Sequence, residues 1–178
     1  MKHLFGLAIG AIIISFIIEM MLICTSFARR VPTNYILLLI FTLLEAFIFG
    51  HICSFYDTAS VITASAITAA VTIALTLYAM FTKTDFTVCG QLFVVLCAVA
   101  FLLSIMSFFV SYKSPMHPFI SGVFAIIYGL YLIVDTQMVL GKGEYSLSVD
   151  DYVVGALIIY VDIMMLFLQL LSIFGDRS

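Results

Sequence analysis

Charged residues are scarce in this chain of 178 residues, where they make up 10% of the sequence against 65% for hydrophobic residues. Soluble domains carry about 25% charged and about 45–50% apolar residues, so the composition excludes an ordinary soluble domain. The mean hydropathy of +1.28 indicates an integral membrane protein. The net charge of -3 is too small to indicate a class of partner.

The chain also lacks the common motifs of metal, nucleotide and nucleic-acid chemistry. Its four cysteines form no Cys-x-x-Cys pair and lie in or beside apolar runs, which favours buried, reduced thiols. The three histidines lack metal-ligand spacing, and there is no Gly-rich phosphate loop and no basic cluster. Ser, His and Asp are too dispersed to indicate a catalytic triad. We therefore expect no bound cofactor and no nucleic-acid partner.

Long apolar runs dominate what is present. Six runs are each long enough for a membrane-spanning helix, and they cover about residues 4–27, 35–55, 59–81, 88–111, 118–140 and 152–174. Because they are continuous rather than alternating, they favour helices over the strands of a barrel. The first run is too long for a typical signal peptide, so we expect a retained span. The sequence predicts one all-α, polytopic helical-bundle domain over residues 1–178.

The polar connections give the helix ends and a weak orientation. Gly141 suits the end of the fifth helix, and Ser148 with Asp151 resembles a capping box before the sixth. Four basic residues lie on one side of the predicted bundle and three on the other, so their distribution only weakly indicates which side faces the cytosol. The pair Arg29-Arg30 leads us to expect that its side is cytosolic.

Four acids lie inside the apolar runs: Glu19, Glu45, Asp135 and Asp162. A charged side chain in hydrocarbon costs roughly 2.5–3.5 kcal/mol on insertion scales, so intramembrane acids mark function more often than packing. For Asp135 and Asp162 together, the sequence favours function over structure. Glu19 and Glu45 are as easily explained as hydrogen-bonded structural residues as by an ion pathway.

Two acids on neighbouring helices allow three chemistries. If they lie close together they share a proton and titrate as a unit, which makes a proton sensor. When both are ionised they offer oxygen ligands to a hard cation such as Ca²⁺. Paired aspartates also activate water in aspartic proteases, but the Gly-x-Gly-Asp motif of the intramembrane class is absent around Asp135. Asp135 lies near the same end of the bundle as Arg29 and Arg30, so an Asp135–Arg contact is allowed.

Several short motifs together resemble the transmembrane Bax-inhibitor motif family, also called the lifeguard family. The closest likeness is to its NMDA-receptor-associated, glutamate-receptor-binding-protein-like branch, and it covers nearly the whole chain. The motifs are Ile40-Phe-Thr-Leu-Leu-Glu45-Ala, Ser54-Phe-Tyr-Asp57-Thr, Thr84-Asp85-Phe-Thr87, Val134-Asp135-Thr-Gln137, Tyr145-Ser-Leu-Ser148 with Asp151-Tyr152, and Ala156-Leu-Ile-Ile-Tyr160-Val-Asp162-Ile-Met-Met-Leu-Phe167.

The resemblance implies six or seven spans in endoplasmic reticulum, Golgi or related membranes, a pH-sensitive Ca²⁺ leak and suppression of cell death. It places the family's paired-aspartate sensor on Asp135 and Asp162. The family's glutamate and latch arginine are eleven positions apart, as are Glu19 and Arg30, so Arg30 is the predicted latch and Arg29 the near alternative. The family usually has a span before the one that begins here, so we expect that this chain starts at its second helix.

The sequence thus predicts a calcium-leak channel rather than an enzyme, with calcium as the permeant ion. Asp135, Asp162 and Arg30 form the predicted pH-sensing gate, the two aspartates bind calcium transiently, and Glu19 and Glu45 offer oxygens along the path. The alternative is a non-conducting membrane protein that regulates cell-death or receptor signalling. The expected partners are the lipid bilayer, calcium ions, and apoptosis regulators or receptor proteins.

Overall fold

Six α-helices make up most of the residues that this computed structural model describes. It describes residues 2–87, 90–109, 116–142 and 146–176, and the side chains within these ranges except those of residues 2–5, 90–94 and 106–109. The helices are α1 (Lys2–Cys24), α2 (Thr33–Cys53), α3 (Thr58–Phe81), α4 (Gly90–Phe109), α5 (Met116–Val139) and α6 (Tyr152–Phe174). Two short 3-10 turns, Ser26–Arg29 and Val149–Asp151, precede α2 and α6.

The predicted all-α bundle is confirmed, and each helix begins and ends within a few residues of its apolar run. Five helices in the described ranges are long and apolar enough to cross a membrane, namely α1, α2, α3, α5 and α6. The apolar part of α4 that is described in full, Val95–Ile105, is shorter. The predicted fourth run extends at both ends into residues outside the described ranges. The chain is therefore a multi-pass membrane protein in contact with lipid.

Helix α5 is the centre of the bundle. Half of its span is buried inside the protein, against 11% for α3. Helix α6 makes its most extensive contact with α5, and α3 packs against both. Helices α1 and α2 form a hairpin that meets α6 through a small apolar cluster around Leu22, Phe41 and Leu157. Large apolar side chains on the outer faces are exposed, as expected for surfaces that face lipid.

Helix α5 ends in the way the sequence predicts. Gly141 has a φ of 67°, the left-handed conformation that glycine adopts without steric cost. The N–H of Lys142 donates to the carbonyl of Gln137 at 3.0 Å, and the N–H of Gly141 donates to that of Met138 at 3.2 Å. These two bonds form a Schellman motif, which satisfies carbonyls that a helix end leaves free.

The predicted capping box before α6 is not formed in its usual geometry. The hydroxyl of Ser148 donates to the carboxylate of Asp151 at 2.5 Å instead of accepting from a backbone N–H of the helix. The Asp151 carboxylate does lie within hydrogen-bonding range of the Ser148 backbone N–H, and it is also engaged by a guanidinium from another part of the chain.

We expect Gly141→Ala to lower the free energy of unfolding by about 1–2 kcal/mol, because a Cβ in the left-handed region meets the following carbonyl oxygen. Gly122→Ala is the matched control, since a Cβ added there meets nothing within 4 Å. It should stabilise α5 by up to about 1 kcal/mol through helix propensity. Thermal unfolding of the two variants in detergent measures the difference. A melting temperature for Gly141→Ala at or above that of Gly122→Ala would contradict the assignment.

Candidate functional site

Asp135 of α5 and Asp162 of α6 lie side by side in the interior of the bundle. Asp135 is 8% exposed and Asp162 is 5% exposed, so neither carboxyl group has free access to solvent or lipid. The two carboxyl groups lie within hydrogen-bonding range of each other. Two carboxyl groups share a hydrogen bond only when one of them carries a proton. The geometry is therefore that of a pair holding a shared proton.

The antiparallel packing of α5 on α6 brings these two acids together. At one end of the helix pair, the hydroxyls of Ser121 and Ser172 are 2.9 Å apart and form a hydrogen bond. At the other end, a Cβ built on Gly155 would lie 3.0 Å from Cγ2 of Val139, so the two backbones approach closely there. Because the register is fixed at both ends, the relative depth of the two aspartates is fixed as well.

Aromatic residues surround Asp162 on the α5 side. Tyr128 and Tyr131 both lie within electrostatic range of its carboxyl group. Their rings are 6.2 Å apart in an edge-on arrangement, and the hydroxyl of Tyr131 donates to Sγ of Cys97 in α4 at 3.2 Å. The tyrosines thus link the acid pair to α4 and keep its surroundings mostly apolar.

Glu19 and Glu45 form a second acidic pair, on α1 and α2. Both are half-buried, and Glu45 lies close enough to repel the charge of Glu19. Glu45 is also within electrostatic range of Tyr160 in α6. No hydrogen bond links this pair to the aspartates within the described ranges. The structure brings the four acids together as two separate pairs, and their predicted role in an ion path stays a prediction.

The predicted contact between Arg30 and Asp135 is not made in this structure. Arg30 is exposed, and among the described residues it has no carboxylate within ion-pair distance. Its neighbour Arg29 pairs instead with Asp151, with Nε at 2.6 Å from Oδ1 and Nη2 at 3.1 Å from Oδ2. The Arg29 guanidinium, helped by the Ser148 hydroxyl, lowers the pKa of Asp151 to about 2. The gating role of Arg30 stays a prediction.

Two buried amide side chains, those of Asn34 and Gln137, were not predicted from the sequence as structural residues. The side chain of Asn34, fully buried, donates to the carbonyl of Ala28 at 3.2 Å and to the hydroxyl of Tyr152 at 3.0 Å. Gln137 accepts from the N–H of Phe86 and donates to the carbonyl of Thr84, each at 2.9 Å. The sequence feature that could have indicated them is an isolated amide residue near the end of an apolar run. Both amides attach connections to helices that carry or flank the acid pair.

The two carboxyl groups supply only part of the coordination shell that a calcium ion prefers. Within the described ranges no three of His, Cys, Asp and Glu are grouped to hold a metal. Calcium takes six to eight oxygen ligands, and the two aspartates supply at most about four. The arrangement suits brief coordination of a cation that keeps several of its waters.

A family model described as inhibitor of apoptosis-promoting Bax1 matches residues 2–178. The chain is 41% identical over 158 residues to protein lifeguard 3 of human and to that of mouse, a match that covers 87% of this chain and 51% of each relative. It is 28% identical over 174 residues to protein LIFEGUARD 1 of Arabidopsis thaliana, covering 96% of this chain and 72% of that relative. The chain thus spans about half the length of the two lifeguard 3 proteins.

We expect Arg29→Gln to lower the melting temperature in detergent and Arg30→Gln to leave it unchanged, because only Arg29 makes an ion pair in this structure. The effect should be small and weakened by salt, since the Arg29 side chain is 60% exposed.

The pH dependence of this difference is set by Asp151. A carboxylate whose pKa is depressed on folding stabilises the protein above its ordinary pKa, and that stabilisation is lost as the pH falls towards about 2. The two variants should therefore differ by the same amount from neutral to mildly acidic pH, and converge in strong acid. Equal melting temperatures at neutral pH and low salt would refute a contribution from the Arg29–Asp151 pair.

Proposed function

The chain belongs to the Bax-inhibitor family, which includes the lifeguard proteins, and we propose that it is a pH-sensitive calcium-leak channel of intracellular membranes. We further propose that it modulates calcium homeostasis and inhibits apoptosis, in the endoplasmic reticulum or Golgi. The membership predicted from the motifs is confirmed, while the NMDA-receptor-associated branch stays a prediction.

The observation that carries the proposal is the buried, hydrogen-bonded pair of Asp135 and Asp162. In the protonated state the shared proton holds α5 and α6 together through this bond. Loss of the proton leaves two negative charges facing each other in a medium of low dielectric constant, so they repel strongly. The repulsion favours a rearranged α5–α6 interface, and the same two carboxylates then attract a divalent cation.

Arg30 is the proposed latch of this gate. It lies exposed in the connection between α1 and α2, at the end of the bundle where α5 also ends. In the gating cycle we propose, it pairs with Asp135 in a conformation other than the one described here. Arg29 is held by Asp151 in the present conformation, which leaves Arg30 as the neighbouring cation available to move.

We expect calcium efflux from proteoliposomes to rise with pH for the unaltered protein, and to become independent of pH for Asp135→Asn and Asp162→Asn. Each asparagine removes one ionisable group while keeping the volume, so the repulsion between paired charges cannot develop. Asp57→Asn is the matched control, because that carboxyl group is exposed and lies outside the pair. A pH profile left unchanged by both substitutions would rule out the aspartate pair as the sensor.

The alternative is a non-conducting protein that regulates cell-death or receptor signalling through contacts in the membrane. The two functions separate when Asp135→Asn and Asp162→Asn are combined and tested in cells challenged with an apoptotic stimulus. The channel proposal predicts that the double variant loses protection although it reaches the same membrane in the same amount. Full protection by the double variant would favour the interaction protein.

A further inference from the structure

Several hydroxyl groups in these helices donate to a carbonyl of their own helix. Where the structure describes them, five serine or threonine hydroxyls donate to the carbonyl four residues earlier at 2.7–2.8 Å: those of Thr42, Thr63, Ser65, Thr68 and Ser104. This is the usual solution for a hydroxyl in an apolar helix, because its own backbone offers an acceptor. The pattern makes any exception informative.

Thr72 of α3 and Thr136 of α5 are exceptions. Their Oγ1 atoms are buried and have no hydrogen-bond partner among the described residues, and the same holds for Oδ2 of Asp162. Thr136 and Asp162 are each 5% exposed. A buried polar atom without a partner costs roughly 1–3 kcal/mol, and the backbone carbonyl that would remove this cost is within reach of a threonine in a helix. These oxygens are therefore left available for water or an ion.

The two threonines lie on helix faces turned towards each other. A Cβ built on Gly129 of α5 would lie 3.3 Å from Cδ1 of Leu75, so these residues mark where α5 and α3 touch. Thr136 follows Gly129 by seven residues, two turns along the same face of α5. Thr72 precedes Leu75 by three residues and follows the buried Thr68 by four, so it lies on the inward face of α3.

The helix register places the three oxygens at successive depths. Ser60 of α3 accepts from the N–H of Asp176 after α6, and counting about 1.5 Å per residue puts Thr72 about 18 Å and Asp162 about 21 Å from that contact. The Ser121–Ser172 bond sets Asp162 at the level of Tyr131, about 7 Å below Thr136. The ascending order is Thr72, Asp162, Thr136, with Asp135 beside the last.

We propose that Thr72, Asp162 and Thr136 line a water-containing path for a divalent cation between α3, α5 and α6. Each helix contributes one oxygen that its own hydrogen bonds leave free, and hydrated or partly hydrated cations prefer oxygen ligands of this kind. The choice of calcium as that cation rests on the function proposed above. The path as proposed does not include Glu19 and Glu45, which lie on α1 and α2.

Cysteine accessibility tests the path without relying on conduction. Thr72→Cys and Thr136→Cys are made in a chain whose four native cysteines are replaced by serine, and the membrane-embedded protein is exposed to a small, water-soluble methanethiosulfonate. Thr68→Cys is the matched control for Thr136→Cys, since Thr68 is 4% and Thr136 5% exposed and the Thr68 hydroxyl donates to the carbonyl of Ala64; Thr72 is half-buried, so its rate is compared with the same control as a secondary result. We expect both path positions to react at least about fivefold faster than the control, because water reaches them. Equal, slow reaction at all three positions would overturn the proposal.

Calcium flux into liposomes supplies the second readout. Thr72→Val and Thr136→Val keep the side-chain volume and remove the hydroxyl, and each should reduce flux about fivefold, the loss expected for one hydrogen bond. Thr68→Val should conduct like the unaltered protein, and Thr136→Ser should retain flux because it keeps the hydroxyl. Flux left unchanged by both valines would exclude the hydroxyls from the path.

The two readouts separate the two proposals. Fast labelling of Thr72→Cys and Thr136→Cys in a protein that carries no calcium would keep the water-containing path and reject the leak channel. Slow labelling in a protein that does carry calcium would keep the channel and reject this path. If a cysteine variant does not fold, as judged by its elution from a sizing column, the valine variant at that position still decides the role of the hydroxyl.

Discussion

The close contact between the carboxyl groups of Asp135 and Asp162 is the physical constraint from which the proposed behaviour of this bundle follows. Two carboxyl groups buried side by side between α5 and α6 are costly unless they share a proton or face a cation, since no basic side chain pairs with them among the described residues. The pair lies in the most extensive helix contact in the protein. In the function proposed above, a change of one proton there changes the packing of α5 on α6.

Such a pair can act as a switch only if other contacts fix the relative position of the two helices that carry it. The Ser121–Ser172 bond fixes one end of the α5–α6 contact, and the close approach of Gly155 to α5 fixes the other. Gln137, two residues beyond Asp135, ties the connection after α3 to the end of α5. Repulsion between the aspartates then acts against a few defined contacts, which favours a discrete rearrangement over gradual loosening.

The six helices followed from the sequence because span length and continuous apolar character are local properties. Gly141 as the end of α5 followed for the same reason, since the left-handed residue after a helix is a matter of backbone sterics. The choice between Arg29 and Arg30 did not follow, because it depends on where the start of α6 lies relative to the α1–α2 connection. The unpartnered hydroxyls of Thr72 and Thr136 could not be predicted from the sequence either. Thr68 is also a threonine in an apolar helix, yet its hydroxyl bonds to its own backbone.

The chemistry of the proposed path suits a slow leak rather than tight binding. It offers a calcium ion two carboxyl groups and two hydroxyls at successive depths, so the ion meets only part of the six to eight oxygens it prefers at any one depth and keeps some of its water. Weak, sequential coordination allows an ion to leave as well as to enter, which conduction requires. When the shared proton returns to Asp135 and Asp162, the strongest ligands on the proposed path become a hydrogen-bonded pair with one negative charge instead of two. The atoms that would attract the ion are then the atoms that close the helices on each other, so one site serves both selectivity and gating.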